Sequence, residues 1–196
     1  MNDVTVIDNI LPNFNTVLRT INEIEFQDAF SQGRIYADVT LDLSSDHLYE
    51  QVEKHLGFKP VNVLNFTRAY RERSDYLRPT WIHADTLFAD YIGVLFIQST
   101  KFPMDDAFCL WKHKELDSID LKKSDFDGER EYKADLSTLT PEDWEIWKRV
   151  EFQPNRLVIC PASYFHSTAT YRSHGRTMND CRIVQVIFFN KGPDNA

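Results

Sequence analysis

"WIHADTLFADYIGVLFI", residues 81–97, sets a histidine and an aspartate two positions apart, His83 and Asp85, just ahead of an apolar run. The run Tyr91–Ile97 is rich in β-branched and aromatic residues and is too short for a core helix, so it predicts a buried strand. In an extended chain residues i and i+2 project from the same face. His83 and Asp85 would then enter one space side by side, with the small Ala84 facing the other way. Two readings stand: a turn in which Asp85 caps a local amide, or a pair of metal ligands awaiting a third.

Strand-like segments lie on both sides of this stretch. "DVTVIDNILP" alternates and is closed by Pro12. "RIYADVTLDL" and "VNVLNFTRAY" alternate as well, the second with Val61 and Val63 on one face and Leu64 and Phe66 on the other. "AFCLWKHK", "NRLVICPASYF" and "CRIVQVIFFNK" follow later in the chain. Helical spacing of apolar residues runs through "NFNTVLRTINEIEFQDAF" and through "SSDHLYEQVEKHLG", which has serines at its start and Gly57 at its stop. "LTPEDWEIWKRV" predicts a third helix, with Thr140 as cap and Pro141 in the first turn.

About eight strands that do not alternate regularly with helices argue against a doubly wound parallel sheet. They predict a mainly β chain, a sandwich or barrel of antiparallel strands with helices packed outside. The expected organisation is one domain: a flanking strand and helices over 1–57, and a barrel core over 58–192 carrying a charged insertion over 112–136.

The 196 residues carry a net charge of −8. That balance ill suits a binder of phosphate backbones, so nucleic acid is the least favoured partner. Cys109, Cys160 and Cys181 have no short spacing and read as reduced thiols. There is no signal peptide and no membrane-spanning stretch, which predicts a soluble cytoplasmic protein acting on a small molecule or a protein side chain.

The third donor for a metal is His166 in "CPASYFHSTATYR", just past an apolar strand. Two histidines and a carboxylate hold iron(II) on one side and leave the other open. His174 is the rival third ligand, in a glycine-containing loop. His47 and His55, on the second helix, and His113, between two lysines, are expected at the surface. Arg182 opens the last strand and shares a face with Val184 and Val186. A buried guanidinium there needs an anionic partner, and its planar fork suits a carboxylate.

"HAD" at 83–85, "FH" at 165–166 and "CRIVQVIFF" at 181–189 resemble, in order and setting, the iron(II)/2-oxoglutarate-dependent dioxygenases, above all the prolyl-hydroxylase-like branch. The opening "VTVIDNILPN" resembles the first strand and turn of that branch. The resemblance implies a double-stranded β-helix, the jelly-roll or cupin-like barrel. It implies His83, Asp85 and His166 as iron ligands, with Fe(II), 2-oxoglutarate and O2 as the reactants that hydroxylate a substrate and release succinate and CO2. It also implies Arg182 as the clamp on the far carboxylate of 2-oxoglutarate. The gap from His166 to Arg182 is longer than the branch usually shows, and Arg176 stands at the shorter distance as the alternative clamp. Asn65 is a further candidate for contact with the cosubstrate. Arg68, Arg71, Arg73 and Arg78 form a basic cluster, read either as a solvated loop or as a seat for an acidic substrate group. Trp81 and Tyr91 are expected in the core; Tyr70, Tyr164 and Tyr171 stand near the proposed ligands. The competing function on the same barrel is a non-redox cupin-like metal-binding protein or isomerase.

Overall fold

The computed structural model describes residues 4–31, 34–41, 43, 46–71, 82–99, 101, 106–121, 142–169 and 175–193. Among these are ten strands and two helices: β1 (Thr5–Asp8), α1 (Phe14–Ile21), β2 (Gln27–Ser31), β3 (Arg34–Thr40), α2 (Asp46–Leu56), β4 (Pro60–Tyr70), β5 (Tyr91–Gln98), β6 (Ala107–His113), β7 (Trp144–Glu151), β8 (Arg156–Pro161), β9 (His166–Thr168) and β10 (Arg182–Lys191). They form a seven-stranded sheet, ordered β1-β8-β5-β10-β4-β3-β2, and a three-stranded sheet, ordered β7-β6-β9. Every strand pair is antiparallel.

Period-2 patterning explains the layers. On β10, Ile183, Ile187 and Phe189 point to one face of the large sheet, where Leu48, Val52 and Leu56 of α2 and Ile21 of α1 cover them. Val184 and Val186 point to the other face and meet Phe108 and Leu110 of β6 across the space between the sheets. A third apolar cluster lies behind the small sheet, with Ile82, Ala84, Trp111, Trp144 and Phe165. The expected antiparallel sandwich with outer helices is therefore present. No helix among the described residues is long and apolar enough to cross a membrane.

Three local expectations are corrected. The first helix ends at Ile21 instead of running on through "EFQDAF". Residues 27–31 pair with β3 as β2. "WEIWKRVE", expected as a helix, is β7 and pairs with β6 along its length. Val150 packs between the sheets and Trp144 in the cluster behind the small sheet, the two faces exchanged at a register shift beside Leu110 and Trp111, and the ladder to β6 outweighs the weak helical preference of the segment. Thr140 and Pro141 lie outside the described residues. His113, expected at the surface, is 9% exposed, because the end of β6 tucks its ring edge-on against Trp144 at 4.7 Å.

Asn155 ties the parts together. It adopts φ 63°, a left-handed conformation that asparagine tolerates better than most residues. Its side chain accepts from the Leu11 N–H and donates to the Leu11 carbonyl, both at 2.9 Å. Its backbone N–H donates to Phe96 O at 2.8 Å. Asn155→Ala strands two buried polar groups and strains the backbone, so a loss of about 3 kcal/mol is expected in urea unfolding. Asn155→Gly, which keeps the backbone conformation, is expected to cost about 1 kcal/mol less.

Candidate metal centre

The two histidines are neighbours because their backbones pair. His83 forms an isolated antiparallel bridge with His166 beside β9. The His83 N–H donates to His166 O at 3.2 Å and the His166 N–H to His83 O at 2.8 Å. Directly paired residues project from one face, so both rings enter the same space, with centroids 4.5 Å apart. Alternation brings Asp85 back to that face, while Ile82 and Ala84 are buried in the cluster behind. Asp85 is anchored by its N–H, which donates to Ala162 O at 2.7 Å, and by the turn in which Phe88 N–H donates to Asp85 O at 2.9 Å.

Asp85 Oδ2 lies 3.2 Å from His166 Nε2 and 3.8 Å from His83 Nε2. One donor atom from each of the three residues fits within 4.8 Å of the other two. His166 is 3% exposed, stacks on Phe108 and holds its Nδ1 2.9 Å from the Tyr164 carbonyl. A carbonyl can only accept, so Nδ1 carries the hydrogen and donates it to this bond, which leaves the Nε2 lone pair facing Asp85 and available to a cation. The side chain of His83 is 40% exposed and forms the open side. Two imidazole nitrogens and one carboxylate oxygen, clustered on one side, suit a divalent transition metal such as iron(II). Cys160 lies nearby, but burial, reinforced by the Asp85 charge, pushes its thiol well above the usual range, so it stays protonated.

The other predicted residues divide. Arg182 lies on the inner face as expected, 1% exposed, with its guanidinium carbon 5.6 Å from the ring centres of both Tyr70 and Phe96. Its Nε stands 3.1 Å from Asp106 Oδ1, an ion pair without a hydrogen bond between those two atoms, while Asp106 Oδ2 accepts from Ser99 Oγ at 2.9 Å. Asp106 was not visible as a partner in the sequence; the only pointer was that a buried arginine requires some anion. Arg176 is exposed, on the loop before β10, where Asp180 accepts from its backbone N–H at 2.8 Å. That loop is folded tightly: Gly175 has φ +140°, and a Cβ there would stand 2.3 Å from the Cys181 Cα.

Asn65 is a correction. It shares the face of Val63, as expected, but Val63 packs with the helices, and the Asn65 amide donates to the Tyr49 hydroxyl of α2. It is thus on the opposite side of the large sheet from Arg182. Arg68 instead occupies the inner face beside Phe66 and Tyr70, 4.8 Å over the Tyr70 ring. Arg71 pairs with the buried Asp38. Tyr91 is a core aromatic stacked on Phe189. His47 and His55 sit on α2 as expected, whereas His174, Tyr171, Trp81, Arg73 and Arg78, with most of the charged stretch 112–136, lie outside the described residues.

No protein-family profile matches the chain, and no curated protein sequence matches it. Among solved structures, the fold is similar to the non-heme alpha-ketoglutarate-dependent epimerase SnoN from nogalamycin biosynthesis. The TM-score is 0.55 at 11% identity, over 100% of this chain and 83% of that one. Escherichia coli ycfD is also matched, at TM-score 0.39 and 10% identity, over 98% of this chain and 50% of that one, which is too distant to support an argument. At that identity the likeness is one of fold alone, and it does not extend to the prolyl-hydroxylase-like branch.

Proposed function

We propose that the chain is an iron(II)- and 2-oxoglutarate-dependent oxygenase that hydroxylates its substrate and releases succinate and CO2. The observation that carries this reading is the His83–Asp85–His166 cluster, whose donors converge from two backbone segments that hydrogen-bond to each other. The strand order supports a double-stranded β-helix. The inner strands of the large sheet, β8-β5-β10-β4, face β7-β6-β9, and the His83 segment extends the small sheet beside β9.

When bound, iron and the 2-oxo acid, with O2 as oxidant, supply the power to oxidise an unactivated C–H bond. The chain's part is placement. His166 and Asp85 would hold the cation on the buried side, and the Tyr164 carbonyl fixes the His166 ring. Arg182, framed by the faces of Tyr70 and Phe96 and ion-paired with Asp106, would offer its terminal nitrogens to the far carboxylate. Anaerobic addition of iron(II) and 2-oxoglutarate is expected to give a weak visible charge-transfer band. Its absence, with iron bound, would overturn the reading in favour of the non-redox cupin-like protein. The Arg182–Asp106 pair is the observation on that side, because it already supplies the buried arginine with an anion.

A second reading is inversion of a carbon centre, as the likeness to SnoN suggests. Turnover under labelled oxygen separates the two: hydroxylation places one oxygen atom from O2 in the product, and inversion places none.

A further inference from the structure

We propose that the substrate presents an apolar body, seated by Leu64, Phe66, Phe88 and Phe188 on a strip that runs from the metal ligands out to solvent. The inference rests on the proposed metal centre and goes on to name the chemistry of what approaches it.

Strand register draws the strip. Cys160 of β8 pairs with Ile92 of β5, Ile92 with Phe188 of β10, and Phe188 with Leu64 of β4. Residues paired in this way share one face, here the inner face of the large sheet. Asp85 is anchored beside this row, through Ala162, two residues beyond Cys160. Along the row the surface opens steadily: Cys160 is 1% exposed, Ile92 3%, Phe188 partly buried and Leu64 53%. The turn that fixes Asp85 also fixes Phe88, which is 49% exposed and lies 5.9 Å from the Phe188 ring, with Phe66 6.2 Å from Phe188 on the other side. Leu87, 45% exposed, adjoins Phe88.

Single exposed apolar residues are ordinary on a protein surface, and Phe30 on β2 and Leu41 past β3 are of that kind here. The four named residues differ in being contiguous with one another and with a buried polar centre. Asp90, Asn190 and Lys191 border them with polar groups: Asn190 Oδ1 accepts from the Asp90 N–H at 2.9 Å, and Asp90 Oδ2 from the Lys191 N–H at 3.4 Å. An apolar patch with such a rim marks a binding surface. A docking partner with no reacting group has no use for a strip that ends at Asp85, whereas a substrate does. The occupant is therefore an aliphatic or aromatic group attached to the carbon that reacts.

Manganese(II) in place of iron makes the approach measurable, because a bound paramagnetic ion speeds the relaxation of nearby protons. The probes are 4-phenylbutan-1-ol and, as polar control, butane-1,4-diol, each added to the Mn(II)-loaded protein. The phenyl protons of the first are expected to relax at least about fivefold faster than the methylene protons of the second. Leu64→Ser and Phe88→Ser are each expected to weaken that effect roughly fivefold by removing buried apolar contact. Both residues are half exposed and neither supplies a metal donor, so circular dichroism and Mn(II) uptake should match the wild type. Equal relaxation of the two probes, or variants that relax the phenyl probe as the wild type does, would overturn the proposal. If the wild-type protein takes up no Mn(II), the metal centre itself falls and the proposal with it.

Discussion

His83→Ala is expected to reduce bound iron from about one per chain to nearly none, an affinity loss above about 100-fold, larger than the loss of a residue that only supports a ligand. It is the cleanest of the three ligand substitutions, because the His83 side chain is 40% exposed and the backbone pairing with His166 does not depend on it. The melting temperature of the metal-free protein should stay within about 2 °C of wild type, as for a surface substitution. His166→Ala should also lose the metal, but it empties a site that is 3% exposed and packed on Phe108, so stability falls with it. Iron measured by elemental analysis after gel filtration decides the matter. Full retention of iron in His83→Ala would return His83 and Asp85 to the capping turn that is the other reading of their stretch of sequence.

What the sequence showed and what it hid follow from the range of the forces involved. β5 and β10 were legible because each is a near-continuous run of residues buried on both faces, a pattern carried by the residues themselves. The inward direction of Arg182 was legible for the same reason: alternation ties it to Val184 and Val186. β7 was not, because "WEIWKRVE" satisfies helical and extended spacing about equally, and its choice is made by the β6 edge that it pairs with. His113 and Asn65 were misplaced through tertiary context. A histidine between two lysines looks solvated until Trp144 is laid across it, and a strand's two faces look alike until α2 covers one of them. The His83–His166 bridge was visible only as two histidines in a plausible order, since backbone pairing across so long a separation leaves no local mark. Asp106 was hidden for the same reason: it sits just ahead of β6, and nothing near it in the sequence names Arg182.

Arg182 and Asp106 should then show a large and diagnostic coupling. Both side chains are almost wholly buried, so Asp106→Leu leaves the guanidinium without this carboxylate and Arg182→Met leaves the carboxylate without the arginine charge. Each single change is expected to cost about 3–5 kcal/mol, whereas the double variant should recover most of that loss, since an apolar pair of similar volume often replaces a buried ion pair without penalty. Urea unfolding of the four proteins gives the coupling directly. Stability alone does not separate an internal ion pair from an anion clamp, but a ligand does. If Arg182 holds the far carboxylate, 2-oxoglutarate at about 100 times its dissociation constant adds about 2.7 kcal/mol to the metal-loaded wild type. In a chain of this size that raises the melting temperature by about 5–10 °C. The double variant, restored in stability but stripped of the guanidinium, should lose most of that rise. If instead Asp106 is the only anion Arg182 ever meets, 2-oxoglutarate shifts the two proteins equally, through the metal alone. Arg176, on its exposed loop, provides the control: Arg176→Met should leave the rise intact, and its loss there would move the clamp from β10 to the loop before it.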